Sequence, residues 1–220
     1  MKKNLTELVF ILDRSGSMSG LEDDTIGGYN ALLEKQKKEP GEAIITTVLF
    51  DDKYELLHDR INLKGVETIS DKEYYVRGTT ALLDAVGKTI NKVINVQRHT
   101  AEEEQPEHVM FVITTDGMEN ASREYTYKRV NKLINHQKDN YGWEFIFLGA
   151  NIDAIATAER FGINKDRASN YHADSVGTRL NYRVLSDAIS DMRGNHVVSD
   201  DWKESIEEDY KKRGGSKHRR

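Results

Sequence analysis

The chain has 220 residues, of which 37% are hydrophobic and 31% are charged. This is enough for one domain, or one domain with a tail, to bury a core of its own. It contains no cysteine, which excludes disulfides, zinc–thiolate sites and thiol catalysis. The N-terminus lacks the apolar segment of a signal peptide, and no run approaches the ~18 apolar residues of a membrane span. We therefore expect a cytoplasmic protein with no membrane partner.

The formal net charge of −5 hides an asymmetry between the body of the chain and its C-terminal end. Residues 211–220 carry six Lys or Arg and no acid, which leaves −11 on residues 1–210. An acidic body argues against a nucleic-acid surface on the domain, so only the basic end suits contact with RNA, DNA or an acidic partner. We predict a domain over residues 1–195 and a charged tail over 196–220 that ends in a disordered basic stretch.

Strand and helix patterns alternate along the chain. Strands are predicted where apolar, mostly β-branched residues run together, and helices where apolar residues recur every three or four positions. In chain order the patterns predict a strand at 6–12, a helix at 22–37, a strand at 43–50, an edge strand at 54–57, a helix at 81–97, a solvated loop at 98–107, a strand at 109–114, a helix marked by residues 127–134, a strand at 145–148, a helix at 152–161, a weak strand near 168–172 and a helix near 179–192.

These elements predict a doubly wound α/β fold. Continuous rather than alternating apolar strands, each followed by a helix, are typical of a parallel sheet covered on both faces. The short turn at residues 51–53 predicts a hairpin, and hence one antiparallel edge strand. The expected fold is a mostly parallel, Rossmann-like central sheet with helices on both faces.

Oxygen-bearing side chains follow two of the most hydrophobic strands. The first strand runs into Asp13, Ser15 and Ser17, and the strand at 109–114 is followed by Asp116. If these strands are neighbours, both carboxylates lie at the carboxyl edge of the sheet, where open α/β sheets bind ligands. Thr79 or Thr80, near the start of the helix at 81–97, would bring a hydroxyl to the same edge. Carboxylate and hydroxyl oxygens are ligands for a hard divalent cation.

This order of motifs resembles the von Willebrand factor A (vWA) domain. The stretch Asp13-Arg14-Ser15-Gly16-Ser17, then Gly78-Thr79-Thr80 before a helix, then Thr115-Asp116-Gly117 after a strand, matches the three loops of that family's metal-ion-dependent adhesion site (MIDAS), and the likeness extends over residues ~5–193. It implies a metal held by Asp13, Ser15, Ser17, Thr80 and Asp116, with Thr79 as the alternative to Thr80. Many relatives have a second glycine where this chain has Thr79, which would restrict the loop because threonine resists positive φ.

The donor set indicates what such a site would do. Mg²⁺ prefers six oxygens in octahedral geometry, and Mn²⁺ or Ca²⁺ suit the same donors. Three neutral hydroxyls leave much of the metal's charge uncompensated, and at least one position remains for water or an outside ligand. The resemblance implies that this ligand is an Asp or Glu of a partner protein. We therefore expect a metal-dependent protein-binding module. Repulsion between Asp13 and Asp116 further predicts that the metal-free protein loses no stability on Asp13→Ala.

Enzyme functions fit the residues less well, and we expect no catalytic activity. The alternative is a Mg²⁺-dependent, phosphatase-like hydrolase on a doubly wound fold, resembling the haloacid dehalogenases. That motif requires a second carboxylate two residues after the nucleophile, where this chain has Ser15. No Gly-x-Ser-x-Gly, P-loop or His-Glu-x-x-His motif is present. The seven histidines, at 58, 99, 108, 136, 172, 196 and 218, are scattered singly, and each is predicted to be a surface or packing residue.

Overall fold

The structure is a computed structural model that describes residues 1–214. In this range every strand and helix that the sequence predicts is present, in the predicted order. The bounds of the strands and α-helices are β1 Lys2–Asp13, α1 Glu22–Gln36, β2 Glu42–Phe50, β3 Tyr54–Asn62, α2 Leu82–Arg98, β4 Pro106–Thr115, α3 Tyr127–Tyr141, β5 Glu144–Gly149, α4 Ala154–Phe161, β6 Ala168–Asn170, α5 Ser175–Asn195 and α6 Glu204–Lys212.

The strands form one mostly parallel sheet in the order β3-β2-β1-β4-β5-β6. Only the hairpin pair β2–β3 is antiparallel among the described strand pairs, which confirms the predicted edge strand. From β1 the chain adds strands first to one side and then to the other. The carboxyl ends of β1 and β4 therefore lie side by side where the strand order reverses, which is the usual ligand-binding position in such sheets.

Helices cover both faces of the sheet, because alternate residues of each buried strand point in opposite directions. Leu8, Phe10 and Leu12 pack with α1 and α5, and Val9 and Ile11 pack with α2, α3 and α4. All five of these β1 side chains are at most 1% exposed. The doubly wound fold expected from the sequence is confirmed.

Three details differ from the sequence-based expectation. The edge strand β3 extends to Asn62, and the predicted loop at 98–107 contains a helical turn at Glu102–Glu104 and the first residues of β4. The helix α6 was not predicted, because its sequence consists mainly of charged residues. It nevertheless packs against the core through its buried residue Ile206, and Trp202, just before the helix, is buried in the same cluster.

Packing therefore continues past the predicted domain boundary at residue 195. Val198, Trp202 and Ile206 belong to the same apolar cluster as α1 and α5. At the start of the basic stretch, Lys212 pairs with Glu208 and Arg213 with Asp174 and Asp209. The remaining tail prediction, a disordered basic end, concerns residues 215–220 and lies outside the described residues. Within residues 1–214, no helix combines the length and apolar character that crossing a membrane requires.

Candidate metal centre

The loop after β1 is organised around the carboxylate of Asp13. The backbone N–H of Ser15 donates to Asp13 Oδ1 at 2.7 Å, and Thr115 Oγ1 donates to Asp13 Oδ2 at 2.5 Å. Asp13 is 1% exposed. Burial raises the pKa of Asp13 although these hydrogen bonds oppose the shift. The carboxylate therefore ties the ends of β1 and β4 together and has both oxygens in use.

Three hydroxyls form a row beside this carboxylate. Thr80 Oγ1 donates to Ser15 Oγ at 3.0 Å, Ser15 Oγ lies 3.0 Å from Ser17 Oγ, and Ser17 donates in turn to Asp116 Oδ1. The five side chains predicted from the sequence thus meet at one edge of the sheet. Thr80 is the threonine that joins them, since it is buried while Thr79 is exposed.

Asp116 ends the row with one oxygen unused. Its Oδ2 is buried and has no hydrogen-bond partner among the described residues. Burial raises the pKa of Asp116 to about 6, the nearby charge of Asp13 adds to the shift, and the Ser17 hydrogen bond opposes it. A buried carboxylate oxygen without a partner is costly, and a cation placed here would remove that cost.

Gly117 keeps the space above the hydroxyls open. A Cβ at this position would lie 2.9 Å from Thr80 Oγ1 and 3.0 Å from Ser17 Oγ, closer than ordinary van der Waals contact. Any side chain at this position would therefore crowd the hydroxyl oxygens of Thr80 and Ser17.

The loop before Thr80 depends on Gly78, the residue before Thr79. Thr79 stands where many vWA relatives have a second glycine. Gly78 has φ +65°, and a Cβ there would lie 2.1 Å from Asp52 Oδ1. Its carbonyl accepts the N–H of Gly16 at 3.1 Å, which joins the first two loops. Thr79 does not have a positive φ. The left-handed conformation falls on Gly78, so Thr79 imposes no backbone strain.

A buried ion-pair network connects the loop after β1 with the loop before α2. The sequence did not predict it. Arg14, fully buried, donates from Nε to Asp51 Oδ2 at 3.2 Å and from Nη2 to Glu55 at 2.5 Å. Arg77 Nε donates to the same Asp51 oxygen at 2.6 Å. Burial alone would raise the pKa of Asp51, but the hydrogen bonds and charges of Arg77 and Arg14, with the Lys53 N–H, outweigh it and lower that pKa.

Glu119 and Asn120 position the threonine loop. Asn120 Oδ1 accepts the N–H of Thr80 at 2.9 Å, and the Asn120 N–H donates to the Thr80 carbonyl at 3.0 Å. Glu119 Oε2 accepts the N–H of Leu83 at 2.8 Å, in the first turn of α2, where a negative charge is favourable. The sequence alone did not predict that these two residues hold the threonine loop in place.

The arrangement fits a divalent cation held by oxygen. It offers three hydroxyl oxygens and the free Oδ2 of Asp116 at one opening, with the carboxylate of Asp13 directly behind Ser15. Hard cations such as Mg²⁺ and Mn²⁺ prefer these donors and retain water in the remaining positions. Asp13 accepts hydrogen bonds from Ser15 and Thr115 with both oxygens, so in a metal-loaded site it would orient the ligands or hold the metal's waters.

Comparison with known proteins supports the fold through structures rather than sequences. No protein-family model matches the chain, and no curated protein matches its sequence. Among solved structures, proximal thread matrix protein 1 of the mussel byssus with a zinc-occupied MIDAS motif aligns at TM-score 0.58 and 11% identity, over 84% of this chain and 46% of that one. A von Willebrand factor type A protein from Catenulispora acidiphila aligns at TM-score 0.57 and 12% identity, over 83% and 42%.

A third structure, the manganese-loaded TRAP protein of Plasmodium vivax, aligns at TM-score 0.55 and 17% identity, over 82% of this chain and 73% of that one. The chain spans about half the length of several of the solved structures it matches. These neighbours show that the chain has the vWA fold. Two of them were solved with a divalent metal, zinc in one and manganese in the other.

Proposed function

We propose that this chain is a metal-dependent protein-binding module in which a cation at the MIDAS-like edge coordinates an Asp or Glu of a partner. The observation that carries the proposal is the buried, unpartnered Oδ2 of Asp116 at the end of the hydroxyl row. Mg²⁺ is the proposed ion, and Mn²⁺ or Ca²⁺ would suit the same oxygens.

Charge explains why the metal would be needed. The body of the chain carries −11 over residues 1–210, and the site contains two carboxylates of its own. An approaching acidic side chain would be repelled by the metal-free protein. A divalent ion held by neutral hydroxyls keeps enough positive charge to reverse this, so the partner's carboxylate would bind only in the presence of metal.

The surface beside the site offers an apolar contact as well. Met118 follows Gly117 directly and is 73% exposed, whereas large hydrophobic residues of this chain are mostly buried. Met side chains are flexible and adapt to varied partners. We propose that the preferred ligand is an acidic residue with an apolar neighbour that contacts Met118.

The proposal includes no catalytic step. In the phosphatase-like alternative, Asp13 would be the nucleophile and the residue two positions later an acid. Here both Asp13 oxygens accept hydrogen bonds, and the later position holds the Ser15 hydroxyl, bonded to Ser17 and Thr80. These contacts support binding over hydrolysis as the function of the site.

The test is a selection of random displayed peptides on the immobilised protein in Mg²⁺. The selected peptides should share an Asp or Glu, bind in Mg²⁺ but not in EDTA, and lose binding when that acid is replaced by its amide. Thr80→Val should abolish the binding, because it removes one hydroxyl without changing the side chain's shape. Thr79→Val, one residue away and exposed, is the matched control and should bind as wild type does. Peptides that bind equally in EDTA, or without their acids, would refute the proposal.

A further inference from the structure

A second group of metal-ligand side chains lies at the opposite, amino edge of the sheet. Glu107 and His108 stand near the start of β4, and His196 directly follows α5. One potential ligand atom from each of the three lies within 4.8 Å of the other two. Because His108 and Asp116 are eight positions apart along β4 and its end, this cluster is about 26 Å from the first site.

The two imidazoles face each other through their ring nitrogens. His108 Nε2 and His196 Nδ1 are 2.6 Å apart, and the ring centroids are 4.8 Å apart with the planes inclined at 34°. Without a third atom between them, one nitrogen must carry a proton and donate it to the other. A cation between the rings would use the lone pairs of both nitrogens and dispense with that proton.

The backbone places His196 in this position at a cost. It ends α5 in the left-handed conformation, with φ +61°, where glycine is the usual residue. α3 and α4 end in the same conformation with Gly142 and Gly162. α5 thus ends in a histidine where α3 and α4 end in glycine, and a ring nitrogen of this histidine contacts His108.

The carboxylate of Glu107 is held in a fixed direction. Its Oε2 accepts the backbone N–H of Asn4 at 2.7 Å, and its other oxygen has no hydrogen bond within residues 1–214. Asn4 also has a positive φ, of +60°. Two of the four non-glycine residues with positive φ in the described part of the chain therefore meet at this cluster. Such an oriented carboxylate is a suitable third ligand.

From these contacts we infer that Glu107, His108 and His196 form a second metal site, specific for a borderline divalent ion such as Zn²⁺, with water in the fourth position. Two imidazole nitrogens and one carboxylate oxygen suit Zn²⁺ and its transition-metal neighbours better than Mg²⁺ or Ca²⁺. Tetrahedral Zn–N bonds of about 2.0–2.1 Å place ligand atoms about 3.3 Å apart. The histidine pair must therefore open by about 0.7 Å, which the exposed side chain of His196 permits.

The bound ion would connect three parts of the chain that are remote in sequence. His196 belongs to the end of α5, His108 to β4, and Glu107 is bonded to the N-terminal strand through Asn4. The site would thus fix the C-terminal end of α5 against the amino edge of the sheet, independently of the metal at the carboxyl edge.

The test is a calorimetric titration with Zn²⁺ of the Asp116→Asn protein, in which the first site is impaired. We expect a saturable one-to-one binding event that is weakened at least tenfold by His108→Gln and by His196→Gly. His136→Gln, which removes a histidine on α3, is the matched control and should bind as the parent does. Mg²⁺-dependent stabilisation in the otherwise wild-type chain should be unaffected by His196→Gly, which separates this inference from the proposed function.

His196→Gly also guards against misfolding as an explanation. Glycine adopts the left-handed conformation without strain, so the metal-free variant should melt at or above the temperature of its parent. Zn²⁺ should raise the melting temperature of the parent but not of the variant. If Zn²⁺ binds both with equal affinity and stoichiometry, or binds neither saturably, the inference is wrong.

Discussion

The loops after β1 and β4 each present one buried aspartate at the same edge, and they differ in how the fold treats it. Asp13 has both oxygens engaged, by the Ser15 N–H and the Thr115 hydroxyl. Asp116 has one oxygen engaged by Ser17 and one without a partner. Two carboxylates of one motif are therefore treated differently: Asp13 holds the loops in place, and Asp116 keeps one buried oxygen without a hydrogen-bond partner.

The largest expected effect is that of Asp116 on the free energy of unfolding of the metal-free protein. Its pKa is about 6 in the folded protein against 3.8 as the ordinary value, so the folded state holds the proton more tightly. The corresponding stability is fully present below about pH 4 and is lost as pH rises through 6, a change of up to about 3 kcal/mol. Asp116→Asn should remove this loss and be the more stable protein at neutral pH in EDTA.

Urea unfolding of both proteins between about pH 4 and 7.5 measures this difference. Asp200→Asn, at an exposed acid with no hydrogen bond in the described residues, is the control and should follow wild type at every pH. If the free energies of unfolding of wild type and Asp116→Asn changed with pH in parallel, the charged form of Asp116 would not destabilise the folded protein. The contrast with Asp13 would then fail.

The second effect is stabilisation by metal. At about 100 times its dissociation constant, a ligand stabilises the folded state by about 2.7 kcal/mol. For a domain of this size that raises the melting temperature by roughly 5–11 °C. Wild type should show this saturable shift with Mg²⁺ after EDTA stripping, and Asp116→Asn should show none. Equal shifts in the two proteins would place the ion elsewhere.

The smallest expected effect is the change in metal-free stability when Asp13 is replaced. Asp13→Ala in EDTA leaves the Ser15 N–H and the Thr115 hydroxyl without their acceptor, at a cost of about 1–3 kcal/mol. The loss of its charge also relieves Asp116, which offsets part of that cost. Asp13→Asn keeps the shape and one carbonyl oxygen, and should unfold closer to wild type. If Asp13→Ala in EDTA melted at or above the temperature of wild type, relief of the repulsion would fully offset the lost hydrogen bonds, as the sequence alone suggested.

Much of the fold is predictable because its central strands are buried on both faces. Leu8 to Leu12 and Val109 to Ile113 are continuously apolar, so their strand character and parallel arrangement follow from the sequence. α6 is the counterexample: its residues are mostly charged, and its one buried residue is Ile206, with the buried Trp202 just before the helix. Two apolar residues in a charged segment do not indicate whether that segment packs.

The candidate ligands of the site are predictable from the sequence, but the residues that hold those ligands in place are not. Asp13, Ser15, Ser17, Thr80 and Asp116 stand out because strand ends and a helix start bring oxygens to one edge. The network of Arg14 with Asp51 is invisible in the sequence, since ion pairing between residues 37 positions apart leaves no local pattern. The same holds for His108 and His196, which are 88 residues apart and were predicted to be isolated.

The bond between Thr115 and Asp13 spans 102 residues and has a consequence for the newly made protein. At synthesis rates of about 5–20 residues per second, Asp13 is translated roughly 5–20 s before Thr115. During that interval β1 has no β4 beside it, and the carboxylate and hydroxyls cannot converge. A metal would therefore bind only after the central strands β1 and β4 have paired. It would not stabilise the folding intermediates that precede this pairing.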